Sequence, residues 1–153
     1  MAGTQQIDKA MMQLAAQEAA ASLAAGGVPV GACLVDEAGN VLAAGHNERV
    51  QSGDPIAHGE MTVLRKAGRR SSYSGCTLYT TLSPCDMCRG AIKLFQIPRV
   101  VIGEAETFAG DTEELRAAGI EVEVLGDEAC MSLMRQFQQK HPDIWAEDIG
   151  QSV

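Results

Sequence analysis

The chain has 153 residues, 46% of them hydrophobic, 21% charged and 4% aromatic, a composition that suits one globular domain, residues 1–153, around an aliphatic core. Its 12 Lys and Arg against 20 Asp and Glu give a formal charge of -8, and a field of that sign disfavours nucleic acid and anionic membranes as partners. Five cysteines are an odd number, the start MAGTQQIDKAMM is no export signal, and no apolar run approaches the roughly 20 residues that span a bilayer, so a reduced, soluble, cytoplasmic protein is expected.

In chain order, Ile7 to Ala25 places Ile7, Ala10, Met11, Leu14, Ala21 and Ala25 on one side at helical spacing and stops at Gly26 and Gly27, which predicts an amphipathic helix. Glu18 interrupts that stripe and needs either a marginal position or a hydrogen-bond partner. VPVGACLV and VLAAGHN read as two strands joined by a tight reversal at DEAGN. A helix starts near His58, CTLYTTL returns to β-branched and aromatic residues, and a further helix runs from about Cys85 to Phe95 with Pro84 just before it. RVVIG and IEVEVL are strands separated by the short helical TEELRAAG, and DEACMSLMRQFQQK is a helix. The tail HPDIWAEDIGQSV adds a last short helical turn. This order predicts an α/β fold, a three-layer α/β/α arrangement around a mixed five-stranded sheet.

Chemistry concentrates at two helix starts. His58 and Glu60 open one helix, Cys85 and Cys88 the next, and helix N-termini favour thiolates and other anions. Spacing i, i+3 points both sulfurs the same way. If the helices lie side by side, His58, Cys85 and Cys88 are three ligands of one tetrahedral Zn2+, with water or hydroxide as the fourth. Glu60 lies within reach of that water without being a ligand. Zinc lowers the pKa of bound water toward about 7, and Glu60 can carry its proton to a ring nitrogen and then to a departing amino group. The parts suit hydrolytic deamination of an amidine-like carbon.

HGE followed by PCDMC resembles the HxE…PCxxC signature of the zinc-dependent cytidine deaminase superfamily. Further stretches, GGVPVGACLV, GHNERV, TLYTTLSPCDMCRGAI, IPRVVIGE and WAEDIG, are similar to the fungal type of cytosine deaminase nearly end to end. The resemblance implies a homodimer of small α/β subunits that converts the free base cytosine to uracil and ammonia in pyrimidine salvage. It also implies that Asn47 and the backbone of Gly59 hold the polar edge of the pyrimidine and that Asp148 accepts hydrogen bonds from it. Phe108 and Trp145 would pack on the ring, the backbone of Ser83 would contact the leaving amino group, and residues 142–153 would form a pocket lid. Two departures stand out. Asp54, Pro55 and Ala57 before His58 are closer to the usual form in purine-type and transfer-RNA deaminases, and Ala146 follows Trp145 where the fungal tail has a second aromatic.

Each of these residues also has a plain reading. Cys33, Cys76 and Cys130 sit in apolar runs and suit core packing. A closed structural zinc would recruit Cys76 or His46 as a fourth ligand; His46 otherwise reads as a structural side chain, and His141 as solvent-facing. Asn47 can end a strand, Asp148 can be a solvated acid, and Lys66, Arg69 and Arg70 read as an exposed helix end. Two rival functions follow, a deaminase of another small heterocycle such as isocytosine, guanine or an aminated pyrimidine analogue, and a non-catalytic zinc-stabilised subunit of an editing assembly.

Overall fold

The computed structural model describes residues 2–151. The elements in chain order are α1 (Ala2–Ala24), β1 (Gly31–Val35), β2 (Val41–His46), α2 (Arg49–Ser52), α3 (Gly59–Ala67), β3 (Thr77–Leu82), α4 (Asp86–Leu94), β4 (Arg99–Glu104), α5 (Thr112–Ala117), β5 (Glu121–Val124), α6 (Glu128–Lys140) and α7 (Pro142–Asp148). Five strands form one sheet in the order β2-β1-β3-β4-β5. β1 pairs antiparallel with β2 and β3, while β3, β4 and β5 run parallel, so the sheet is mixed as expected. The parallel pairs are bridged by helices, which parallel connections require.

Alternation along the strands makes the three layers. Ala32 and Leu34 of β1 with Val100 and Ile102 of β4 bury one face under Val63, Ile92 and Leu115, which belong to α3, α4 and α5. Cys33, Val35 and Val101 point the other way, against Met12 and Ala15 of α1 and Cys130 of α6. Both faces of the central strands are covered. Among the described residues no helix is long and apolar enough to cross a membrane.

Three local expectations need correcting. The helix α1 begins earlier than Ile7, and its buried face is Asp8, Met12, Ala15, Ala19 and Ser22, whereas Ile7 is 54% exposed. The apolar stripe is misleading there because two polar residues find partners inside and the contact demands small side chains. A Cβ on Gly31 would stand 2.0 Å from the carbonyl oxygen of Ala15, so α1 lies directly on the β1 backbone. The strand read as VPVGACLV starts only at Gly31, since Pro29 offers no ladder donor. The short α2 between Asn47 and His58 carries no apolar periodicity that would announce it. Glu18 does find a partner, with Oε1 2.9 Å from His46 Nδ1.

Asp8 is the polar anchor of α1. It accepts two hydrogen bonds from the Arg99 guanidinium, at 2.8 and 2.7 Å, and one from the Tyr79 hydroxyl at 2.8 Å. The Arg99 bond, set against burial and helped by Tyr79, holds the Asp8 carboxyl below its ordinary value. A carboxylate with a depressed folded pKa contributes stability above its unfolded pKa and loses that contribution as pH falls through the folded one. Asp8→Asn is therefore expected to cost about 2 kcal/mol at pH 7, the loss of a charge-assisted bond, or roughly 6 °C in Tm at this chain length. The gap between variant and wild type should close as pH drops below about 4. Thermal melts at both pH values check it, and a constant gap contradicts it.

Candidate active site

Two helix starts meet at the ends of the central strands. His58 is the N-cap of α3 and Cys85 the N-cap of α4, both in extended backbone conformation with no side-chain cap. Cys85 thus stands just outside the helix and Cys88 in its first turn, yet the two sulfurs still converge. The turn leading to Cys85 is clamped from below by buried Arg89, whose Nη1 donates to the Pro84 carbonyl at 2.8 Å and whose Nε donates to Glu114 at 3.1 Å.

His58 Nδ1 lies 3.3 Å from Cys85 Sγ and 3.8 Å from Cys88 Sγ. The three donor atoms lie within 4.8 Å of one another, the spacing of ligands on one tetrahedral zinc. On the far side of the ring, His58 Nε2 is 3.0 Å from the carbonyl oxygen of Asp148. A carbonyl can only accept, so Nε2 carries a proton and Nδ1 is the nitrogen turned toward the sulfurs, the one a metal would bind. Cys85 is held down in pKa, first by the hydrogen bond with Cys88 and further by His58, while the same bond together with burial pushes Cys88 up. Burial opposes protonation of His58, but Cys85, Asp148 and Glu60 outweigh it and lift the ring to about 9. A nitrogen and two sulfurs sharing their protons so closely fit a metal that displaces those protons on binding.

Glu60, in the first turn of α3, is 3% exposed. Burial pushes its carboxyl up to about 7, with His58 pulling the other way. Glu60 lines a cavity together with Asn47, His58, Cys85, Phe108 and Trp145, and Ser83 and Asp148 line it too. Cys88 is buried, and Gly59, which is not among the residues lining the pocket, is the first residue of α3. Asn47 is fixed on every side. Its N–H donates to Val30, its carbonyl accepts from Ser22 Oγ at 2.9 Å, its Oδ1 accepts from the Arg49 N–H at 3.0 Å, and its Nδ2 donates to Asp148 Oδ1 at 2.9 Å. Burial raises the Asp148 carboxyl, opposed by His58 and by the Asn47 bond.

The pocket also has apolar walls that residue chemistry did not single out, Val30, Leu82 and Ile149. Leu82 and Ile149 adjoin Ser83 and Asp148 in the chain, which is the one signal that could have found them. Arg49 was equally unmarked; its guanidinium reaches Glu147 at 3.1 Å and Asp148 at 3.6 Å. The rival fourth ligands stand elsewhere. His46 is engaged by Glu18, and Cys76 packs in the aliphatic layer with Leu78 and Ile97. Among the described residues, only His58, Cys85 and Cys88 form a metal-binding group.

This fold and this site define a zinc-dependent hydrolase of the deaminase class. Residues 5–104 match the family described as the cytidine and deoxycytidylate deaminase zinc-binding region, and the chain belongs to it. The chain is 46% identical over 146 residues to the cytosine deaminase of Candida albicans, covering 94% of this chain and 97% of that one. It is 33% identical over 151 residues to the tRNA-specific adenosine deaminase of Haemophilus influenzae, covering 90% and 87%. Among solved structures, the guanine deaminase of Nitrosomonas europaea superposes with a TM-score of 0.73 at 26% identity over 85% of this chain and 84% of that one. These likenesses agree with the fold and the zinc chemistry expected from the sequence.

Proposed function

We propose that this protein hydrolyses cytosine to uracil and ammonia. The observation that carries the reading is buried Glu60 beside the His58, Cys85, Cys88 group in one pocket that Asn47 and Asp148 also line. The 46% identity to a fungal cytosine deaminase supports the same base.

His58, Cys85 and Cys88 would hold the zinc, which when bound would supply an acidified water at neutral pH, with pKa near about 7. Glu60 accepts the first proton of that water on a carboxylate oxygen and delivers it to the ring nitrogen beside the reacting carbon, then takes the second proton, from the hydroxyl added to that carbon, and passes it to the amino group, which leaves as ammonia while the carbon-oxygen double bond forms. A carboxyl poised at about 7 suits both directions of transfer. The Ser83 N–H is already given to the Glu104 carbonyl at 3.0 Å, so Ser83 offers its carbonyl oxygen to the amino group that leaves. The Gly59 N–H is an unpaired first-turn donor and, with Asn47, meets the pyrimidine's carbonyl edge. Asp148 accepts from a ring N–H, and Phe108 and Trp145 pack on the ring. The segment 142–153, whose last two residues lie outside the described residues, is read as a lid. Because Asp148 of α7 also orients His58, closing the lid and fixing the metal ligand are one event.

Ammonia release from cytosine, cytidine, isocytosine, guanine and adenine, each offered separately to zinc-loaded protein, tests the reading. Cytosine is expected to lead in kcat/KM by at least about 100-fold, the discrimination that hydrogen bonds to a heterocycle's polar edge provide. A lead by guanine would replace the substrate and keep the chemistry; that second reading is supported by the guanine deaminase likeness and by the Asp54, Pro55 and Ala57 departure. Silence on every base would overturn the proposal.

The protein is read as a cytoplasmic homodimer. All five cysteines are free, which suits a reducing compartment. At the end of α4, after the two metal-binding cysteines, Leu94 is 73% and Phe95 40% exposed, beside Tyr73, and this apolar end suits packing against a second copy. Light scattering should report a dimer, and Leu94→Asp a monomer; a monomeric wild type removes the claim.

A further inference from the structure

Glu104 is the last residue of β4 and is 0% exposed. One of its carboxylate oxygens, Oε2, accepts hydrogen bonds from two successive main-chain donors, Glu106 N at 2.8 Å and Thr107 N at 2.9 Å. The other, Oε1, is buried with no hydrogen-bond partner. A fully buried carboxylate with one bare oxygen costs stability, and an aliphatic side chain in its place would not. Local rules are broken in this way where geometry matters more than stability. The geometry here concerns the loop 105–110, which carries Phe108 to the pocket wall.

That loop is fastened on both sides of Phe108. Before it, the Glu104 carboxylate draws Glu106 and Thr107 inward. After it, Ser83 Oγ donates to the Ala109 carbonyl at 2.9 Å. Gly110 then turns away with φ 55, and a Cβ there would stand 2.5 Å from the same Ser83 Oγ. The main chain of Glu104 completes the frame by accepting from Ser83 N at 3.0 Å. The two strand ends that border the site are thus tied to each other and to the loop through Glu104 and Ser83.

We infer that Glu104 is a positioning residue for substrate selection, its carboxylate holding Phe108 at the distance where the ring of the base is packed. The inference rests on the reading of Phe108 as a ring-packing residue. Glu104 touches no substrate, so its loss acts on KM through Phe108. Acceptor geometry at Oε2 is what counts, so an amide in the same place serves as well as the acid.

Glu104→Ala, Glu104→Gln, Phe108→Ala and the Glu104→Ala/Phe108→Ala double variant are compared for zinc content, Tm, kcat and KM. The substrate is cytosine or whichever base ranks first. Glu104→Ala is expected to keep its zinc and to raise KM about 10-fold with a smaller change in kcat, the lower range for losing hydrogen bonds to a charged group. Glu104→Gln should restore KM to within about 2-fold of wild type, and in the Phe108→Ala background the further effect of Glu104→Ala should fall below about 2-fold, as coupled residues behave. A raised KM in Phe108→Ala with an unchanged KM in Glu104→Ala overturns the positioning role alone. An unchanged KM in Phe108→Ala overturns the ring-packing reading and this inference with it. A KM effect of Glu104→Ala that persists undiminished without the Phe108 ring also overturns it. Should Glu104→Ala fail to fold, Ser83→Ala removes the tether on the other side of Phe108. It is expected to raise KM about 3-fold, as losing one neutral hydrogen bond does, and an unchanged KM there overturns the inference.

Discussion

Glu60→Gln should bind a full complement of zinc and lose kcat by about 10³-fold, the middle of the range for general acid–base catalysis. The substitution changes the charge and proton capacity of one side chain and keeps its volume, and none of the three metal donors is altered. Glu60 is buried, so no bulk water stands ready to replace it as proton carrier. Its carboxyl sits at about 7 because burial raises it. The amide has no proton to exchange in that range. Metal analysis and single-turnover kinetics on the same preparation separate the two expectations. Normal turnover by Glu60→Gln would sink the proton-shuttle mechanism, and loss of zinc would mean that Glu60 also shapes the metal site.

Cys88→Ala should lose both metal and activity. Cys88 is fully buried, with its sulfur 3.8 Å from His58 Nδ1, and removing it leaves a two-donor site. Zinc affinity is expected to fall by at least about 100-fold, the upper end of what even an outer-shell partner is worth. Wild type at a zinc concentration 100 times its Kd gains about 2.7 kcal/mol by mass action, roughly 8 °C in Tm for this length; Cys88→Ala should show no such gain. Because the thiols and the imidazole must shed protons to bind metal, wild-type affinity should weaken as pH falls. Titration calorimetry in two buffers of different ionisation enthalpy measures the released protons directly. Zinc uptake by Cys88→Ala equal to wild type would show that the metal sits on other donors.

The contrast between α1 and the site explains what could be read early. In α1 the stripe Ile7, Ala10, Met11 and Leu14 is offset from the buried face, which Met11 and Leu14 only flank, since apolarity was the cue and the buried side holds Asp8 and Ser22. Those two are buried at little cost only because Arg99, Tyr79 and the carbonyls of Val28 and Asn47 receive them, and the partners lie far along the chain. The metal donors were legible because their recognition is local. A helix start next to His58 and another next to Cys85 each follow from short-range signals, and the i, i+3 spacing aims the sulfurs whatever the remainder of the fold does.

Asn47, Phe108, Trp145 and Asp148 carry no such local mark. They come from three separate segments and line one cavity only after the sheet order β2-β1-β3-β4-β5 has brought the ends of β2, β3 and β4 together and α7 has folded across them. The same holds for Arg49 and Glu104, whose contacts with α7 and with the loop 105–110 exist only in three dimensions. By itself the sequence determined the element types, the layered α/β class and the His58, Cys85, Cys88 group, and it singled out Glu60 as the proposed proton carrier, because propensity, periodicity and ligand spacing are properties of neighbouring residues. The pocket's apolar walls, the orientation of the His58 ring and the tethering of Phe108 were decided by tertiary structure alone, since each depends on contacts between residues distant in the chain, and such distances are set by packing rather than by order along the sequence.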